Sequence, residues 1–173
     1  MELLAMWKSK TIFLLAAPPL AFACAVAARA QEIVRYPLPV QGFPISLGVE
    51  VPAGKSLVYL SGAVPPTAAP DKDGKVAPLP ADTQSQAVLT LQRIEQTLKG
   101  LNLTLGDVVF LRAYLVGDPA TGGRLDFNGF NAAYKQFFGS AAQPALPARS
   151  VVQVAGLARP DFLVEIEVVA VRK

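Results

Sequence analysis

The sequence lacks histidine and contains a single cysteine, Cys24, among its 173 residues. Without histidine, the chain lacks both the commonest general base and the commonest metal ligand. This excludes Ser-His and Cys-His nucleophile pairs and ordinary zinc sites. A lone cysteine also excludes a disulfide within the chain. We therefore expect no bound metal and no other cofactor, and any catalysis must rest on carboxylate, guanidinium and hydroxyl groups.

The first 30 residues have the pattern of a secretory signal peptide. Lys8 and Lys10 precede the apolar run TIFLLAAPPLAFACAVAA, and residues 28–30, Ala-Arg-Ala, provide a small-residue cleavage site. We therefore expect residues 1–30 to be removed and residues 31–173 to form the mature domain. The expected location is the periplasm or the extracellular medium, with no stable membrane association after cleavage.

Two alternatives apply to the same segment. The apolar run of about 18 residues has the minimum length of a membrane anchor, although Pro18 and Pro19 interrupt it. Cys24 lies near the end of this run, where exported bacterial proteins can carry a lipid, so lipidation at Cys24 stays open.

The apparent basicity of the chain comes mostly from this segment. Leaving out residues 1–30 lowers lysine plus arginine from 16 to 13 and aspartate plus glutamate from 13 to 12, so the net charge falls from +3 to +1. No basic tract remains, and affinity for phosphates depends on clustered lysine and arginine. We expect no nucleic-acid partner, and a nuclease stays an alternative.

Residues 31–173 have the length of one domain. In chain order we predict a strand at 56–61, a proline-rich surface loop at 64–81, a helix at 83–100, a strand at 107–116 covered on both faces, a helix at 124–138, and strands at 149–155 and 162–171. This order indicates an α+β domain in which two helices pack on one face of a mixed β-sheet.

Two details refine the predicted helices. Thr83 and Gln86 have the spacing of a capping box at the start of the first helix. The second helix carries an aromatic stripe at helical spacing, and such a stripe is more typical of a protein core than of a cofactor site. Its members are Phe127, Phe130, Tyr134 and Phe137.

Three charged residues lie in the last two predicted strands. Side chains alternate between the faces of a strand, so Glu165 and Glu167 share one face of the last strand. In the strand before it, Arg149, Val151 and Gln153 share a face. If the two strands are neighbours, Arg149 could meet a glutamate. From spacing alone, this pair could be a structural ion pair, a solvated sheet edge or part of a site.

Several segments of the sequence resemble the RidA family, also called YjgF/YER057c/UK114. These segments are LVYLSG, KGLNLTLGDVVFLRAYL, FNAAYKQFF, PARSVVQVAGL and VEIEVVAV, and the resemblance extends over about residues 45–172. It implies a chorismate-mutase-like α+β fold and a homotrimer with sites in the clefts between subunits. It also implies hydrolysis of reactive enamines or imines, such as 2-aminoacrylate, to 2-keto acids and ammonia.

The resemblance also assigns roles to individual residues. Arg149 matches the arginine that binds the substrate carboxylate, and Glu165 matches the carboxylate that positions the attacking water. Ser61, Gly62 and Asn131 match residues that line the cleft. A planar guanidinium can hold a carboxylate with two parallel hydrogen bonds, so this role fits the chemistry of arginine.

Two positions depart from the family pattern. Val151 stands where the family often has cysteine, and Ile45 stands where its deaminases usually have a tyrosine. Both replacements make the expected cleft more hydrophobic. An alternative to the deaminase is therefore a non-catalytic trimeric protein of the periplasm that binds small carboxylates or acts like a chaperone.

Overall fold

The computed structural model describes residues 32–40 and 42–172, and the predicted signal peptide lies outside them. The elements are β1 (Val34–Pro37), β2 (Ser46–Glu50), β3 (Ser56–Ala63), α1 (Thr83–Gly100), β4 (Val108–Val116), α2 (Phe127–Tyr134), β5 (Ala148–Val154) and β6 (Val164–Arg172). Short 3-10 turns lie at Leu105–Asp107 and Pro119–Thr121. In the described part of the chain, no helix combines the length and hydropathy needed to cross a membrane.

The strands form one six-stranded mixed sheet in the order β1-β2-β5-β4-β6-β3. β5 runs parallel to β4 and β2, whereas β6 runs antiparallel to β4 and β3. Both helices pack on one face of this sheet, and the core lies between the two layers. The predicted α+β class, with two helices on one face of a mixed sheet, is confirmed.

β6 shows how the sequence pattern sets the two faces of the sheet. Its residues Val164, Ile166, Val168 and Ala170 are at most 1% exposed, as the alternation of apolar residues predicts. The intervening side chains, including Glu165 and Glu167, point to the other face. No helix covers that face within the described chain, and Tyr59 there is 73% exposed.

The start of α1 differs from the prediction. The N-cap is Asp82, whose carboxylate accepts a hydrogen bond from the backbone N–H of Ser85 at 2.7 Å. Thr83 is buried, and its hydroxyl lies 3.2 Å from the Asp118 carboxylate. The predicted capping box of Thr83 and Gln86 is therefore wrong, because tertiary contacts use both side chains.

Gln86 joins the helix to two other segments. Its amide nitrogen donates to the carbonyl oxygens of Pro80 at 2.9 Å and Asp161 at 2.8 Å, and its amide oxygen accepts from the N–H of Leu163. Residues 64–82 form no helix or strand, which confirms the predicted loop, and Gln86 fixes the end of this loop.

The remaining differences concern element boundaries and one face. β3 continues two residues past the predicted end, to Ala63. α2 is shorter than predicted at both ends, because it begins after its N-cap Asp126 and ends at Tyr134. β1 and β2 carry no strong sequence signal and were not predicted. β4 is covered by helices on one face only, so the prediction of two covered faces is wrong within a single chain.

Candidate functional site

Arg149 and Glu165 lie on opposite faces of the sheet. β4 separates β5 from β6, so the predicted encounter between neighbouring strands does not occur. Arg149 is in register with Leu111, which is fully buried beneath the helices, whereas Glu165 is in register with Tyr114 on the open face. Within one chain, the two site residues that the resemblance implies are therefore separated by the sheet.

The guanidinium of Arg149 lies among four aromatic rings. Its Cζ atom is 4.3 Å from the ring centre of Tyr134, 5.5 Å from Phe130, 5.8 Å from Phe43 and 5.9 Å from Phe127. Cation–π attraction of this kind holds the cation but leaves its N–H groups unused. We call these four rings the aromatic cage.

The side chain of Arg149 forms no hydrogen bond or ion pair with residues 32–40 or 42–172, and its Nη1 atom is buried. Burial lowers the pKa of Arg149, although arginine stays protonated. Glu165 and Glu167 are not its partners, so the interpretation of Arg149 as a structural ion pair is wrong for the single chain. A buried, charged donor without an acceptor favours an anionic ligand.

Two further buried polar atoms, which have no hydrogen-bond partner among the described residues, lie on the helix that covers Arg149. They are the Tyr134 hydroxyl and the Asn131 side-chain oxygen. Burial raises the pKa of Tyr134, and the positive charges of Arg149 and Arg35 oppose this shift only in part. The tyrosine is therefore a neutral hydroxyl that can donate a hydrogen bond. The sequence had indicated only a core role for Tyr134.

The spacing of α2 explains why these side chains meet. Phe127, Phe130, Asn131 and Tyr134 follow the i, i+3, i+4, i+7 pattern, so they share one face of the helix. The Asp126 carboxylate caps this helix by accepting from the Gly129 N–H at 2.8 Å. Eight residues of regular helix thus present Asn131 together with three of the four cage rings, and Phe43 comes from the segment before β2.

The chain leading to Arg149 is held by side chains that the sequence did not reveal. The Arg35 guanidinium donates to the carbonyl oxygens of Leu146 at 2.6 Å, Val108 at 2.9 Å and Gly106 at 3.0 Å. The Ser46 hydroxyl also donates to Leu146 O at 2.6 Å. These bonds join β1 and β2 to the approach of β5 and fix the backbone just before Arg149.

A second cluster lies on the open face, where Glu165 adjoins the end of β3. A Cβ atom added to Gly62 would overlap the Glu165 carboxylate, with its Cδ at 2.8 Å, so any larger residue there would force this carboxylate to shift. Ser61 is exposed beside it. The structure therefore brings together Ser61, Gly62 and Glu165, and separately Asn131, Val151 and Arg149.

Glu165 and Glu167 differ in their surroundings although they share a face. Glu167 contacts the Tyr114 hydroxyl at 3.2 Å and Arg112 Nη1 at 3.4 Å. The Glu165 carboxylate accepts no hydrogen bond from the residues that the structure describes. Of the two carboxylates, Glu165 is therefore the one without a competing partner in the described chain.

Within the same described ranges, no group of three or more histidine, cysteine, aspartate or glutamate side chains is placed to hold a metal ion. The chemistry available at the two clusters is binding of an anion by a caged guanidinium and proton transfer by a free carboxylate.

Comparison with known proteins relates these features to a family. The family model described as Endoribonuclease L-PSP matches residues 48–172. The TdcF protein of Escherichia coli is 35% identical over 117 residues, which cover 68% of this chain and 80% of that protein. The 2-iminobutanoate/2-iminopropanoate deaminase of E. coli is 32% identical over 118 residues, covering 68% of this chain and 81% of the relative.

Solved structures show the same architecture. E. coli TdcF with bound serine matches with a TM-score of 0.52 and 32% identity, over 83% of this chain and all of that one. The YjgF gene product of E. coli matches with a TM-score of 0.52 and 34% identity, over 78% of this chain and 91% of the other. The fold is thus that of chorismate-mutase-like α+β proteins. The chain belongs to the RidA (YjgF/YER057c/UK114) family, whose model carries the name Endoribonuclease L-PSP.

Proposed function

We propose that this protein is a hydrolytic deaminase that converts reactive 2-imino or 2-enamine acids into 2-keto acids and ammonia. The observation that carries this proposal is the half-buried guanidinium of Arg149, which is held by four rings and has no acceptor in the described chain. A substrate carboxylate would supply that acceptor through two parallel charge-assisted hydrogen bonds. Relatives named for deamination of 2-imino acids support the same chemistry.

Hydrolysis of an imine requires few catalytic groups. A water oxygen adds to the C=N carbon, and Glu165 accepts the proton that the water loses, which gives a carbinolamine after nitrogen is protonated. The hydroxyl proton then passes to the nitrogen as the carbonyl forms, the carbon–nitrogen bond breaks, and ammonia leaves. Because imines already hydrolyse in water, holding the substrate and one carboxylate in position is sufficient, and neither histidine nor cysteine is required.

The complete site requires a second copy of the chain. Arg149 and Glu165 lie on opposite faces of one sheet, so the cleft that joins them forms between subunits, as the family resemblance implies for a homotrimer. The open face supports this assembly, because Leu57, Tyr59 and Val152 there are 43%, 73% and 43% exposed. Exposed apolar groups on one sheet face are typical of an oligomer interface.

A matched pair of variants tests the catalytic role. Glu165→Gln keeps the shape of the side chain but removes its negative charge, so we expect turnover to fall at least about a hundredfold while ligand affinity changes little. Glu167→Gln is the control, because Glu167 is already bonded to Arg112 and Tyr114. Turnover is measured as loss of semicarbazone formation from oxidase-generated imines. Equal losses in the two variants would contradict the assignment.

A second candidate is a non-catalytic trimer that binds small carboxylates or acts like a chaperone. The specific observation that favours it is that the carboxylate-binding half around Arg149 is complete within one chain, whereas Glu165 is not part of it. If wild-type protein binds a 2-keto acid but leaves semicarbazone formation unchanged, this candidate replaces the deaminase.

We also propose that the protein acts outside the cytoplasm. Residues 1–30 combine basic residues, an apolar run and a small-residue cleavage site. The substrate would then be an imine or enamine formed in the periplasm by oxidation of amino acids or amines.

A further inference from the structure

A crevice of about 230 Å³ lies beside the aromatic cage. Its walls include the apolar side chains of Leu38, Phe43, Ile45, Pro144 and Leu146. The Phe43 ring belongs to both features, because it lines the crevice and lies 5.8 Å from the Arg149 guanidinium carbon. The Phe43 ring therefore links the crevice to the guanidinium of Arg149.

The two polar side chains in the crevice wall, Arg35 and Ser46, already bond to backbone carbonyl oxygens. Arg35 donates to three backbone carbonyl oxygens at 2.6–3.0 Å, and the Ser46 hydroxyl donates to Leu146 O at 2.6 Å. Pro144 has no N–H group. A polar ligand group entering the crevice would therefore lose its hydrogen bonds to water without gaining equivalent ones, whereas an apolar group gains from burial.

We propose that this crevice receives the side chain of the substrate, so that the protein prefers 2-imino acids with branched or aromatic apolar side chains over three-carbon ones. This inference rests on the proposed function and specifies its substrate class. The carboxylate lies on Arg149, and the side chain passes the edge of Phe43 toward Ile45 and Leu38. Ile45 stands where the resemblance implies a tyrosine, and it gives the crevice an aliphatic wall without a hydroxyl group.

The test compares two imines under one assay. D-amino-acid oxidase generates 2-iminopropanoate from D-alanine and 2-imino-4-methylpentanoate from D-leucine, and semicarbazide traps the imine that the purified protein leaves unhydrolysed. We expect kcat/KM, relative to the spontaneous hydrolysis of the same imine, to be at least about tenfold higher for the leucine-derived substrate. Equal values, or a preference for the alanine-derived substrate, would overturn the inference and leave the proposed function intact.

Substitutions in the crevice test whether it causes the preference for the leucine-derived substrate. Leu38→Trp fills the crevice and should lower the ratio of leucine-derived to alanine-derived kcat/KM to near one. Leu101→Trp is the matched control, because Leu101 is an exposed leucine that follows α1, outside the crevice, and the ratio should not change. A thermal melt of each variant checks folding. If Leu38→Trp does not fold, Ile45→Ala, which removes one crevice wall, should also lower the ratio.

A binding measurement separates this inference from the proposed function. Calorimetric titration should show 4-methyl-2-oxopentanoate binding at least about tenfold more tightly than pyruvate. If the protein hydrolyses neither imine but shows this difference, the proposed function fails and the crevice assignment stands. If neither hydrolysis nor a difference in affinity is found, both fail.

Discussion

Replacing Arg149 by methionine tests whether this residue serves a ligand or the fold. Methionine keeps most of the apolar volume inside the aromatic cage and can contact the rings through sulfur. It removes the positive charge and every donor that a carboxylate could use. Arg149→Lys keeps the charge but loses the planar fork, so it separates charge from geometry.

The structure gives the expected change in stability. Cation–π contact with the closest ring, Tyr134 at 4.3 Å, contributes about 2 kcal/mol at a desolvated site. Keeping a guanidinium in a half-buried place without an acceptor costs an amount of similar size or larger. The two effects oppose each other, so methionine should lower the unfolding free energy by no more than about 1 kcal/mol, or roughly 4 °C in Tm.

Ligand binding should change far more. A bidentate arginine–carboxylate contact in a partly desolvated cleft contributes about 2–4 kcal/mol. Its loss corresponds to a roughly 30-fold to 1000-fold weaker Kd. Arg149→Lys should recover only part of this loss. Arg93→Met is the control, because Arg93 lies on the surface of α1, where it donates to Val64 O, and its loss should leave affinity unchanged.

Two measurements on the same proteins distinguish a ligand-binding role of Arg149 from a structural one. A small 2-keto acid is titrated into wild type and each variant by calorimetry, and each protein is melted without ligand. A structural partner of a carboxylate would behave in the opposite way, because its removal leaves an unpaired charge and costs about 3–5 kcal/mol. Unchanged affinity with a fall in Tm of roughly 10 °C or more would refute the functional role of Arg149.

Three further predictions concern the contact at Gly62, the assembly of subunits and export. Gly62→Ala should displace the Glu165 carboxylate and lower turnover at least about tenfold. Gly100→Ala is the control and should leave turnover unchanged, because there is open space around its Cβ position. Full activity of Gly62→Ala would contradict a role for the contact between Gly62 and Glu165. Light scattering should give about three times the subunit mass, and a monomer at micromolar concentration would remove the intersubunit cleft. Mass spectrometry of the periplasmic fraction should find Gln31 as the first residue, and full-length protein in the cytosol would disprove export.

Much of the fold follows from local patterns in the sequence. The alternation in β6 predicts its buried face because each strand residue points opposite to its neighbour whatever the partner strand is. The apolar stripe of α1 predicts its packed face in the same way, and Leu91, Ile94 and Leu98 are at most 1% exposed. The candidate residues Arg149, Glu165 and Gly62 came from a resemblance to a family, and spacing alone did not assign them.

The features that only the tertiary structure decided depend on segments far apart in the chain. Strand order is one of them: β4 lies between β5 and β6, which places Arg149 and Glu165 on opposite faces. Another is the use of Gln86, which spacing assigned to a cap and which instead bonds Leu163. Hydrogen bonds between distant segments leave no periodic trace in a sequence, so neither could be predicted.

The aromatic cage shows most clearly which features the sequence determines and which features depend on tertiary structure. The sequence by itself determined that Phe127, Phe130 and Tyr134 share one helix face, because the helical repeat is a property of local backbone geometry. Only the packing of α2 over β5 placed that face on Arg149, and only the path of the chain before β2 added Phe43. Residue spacing fixes the direction of a side chain within its own element. What that side chain meets depends on how the elements pack, because burial of apolar surface has no direction of its own and selects the arrangement of the whole chain.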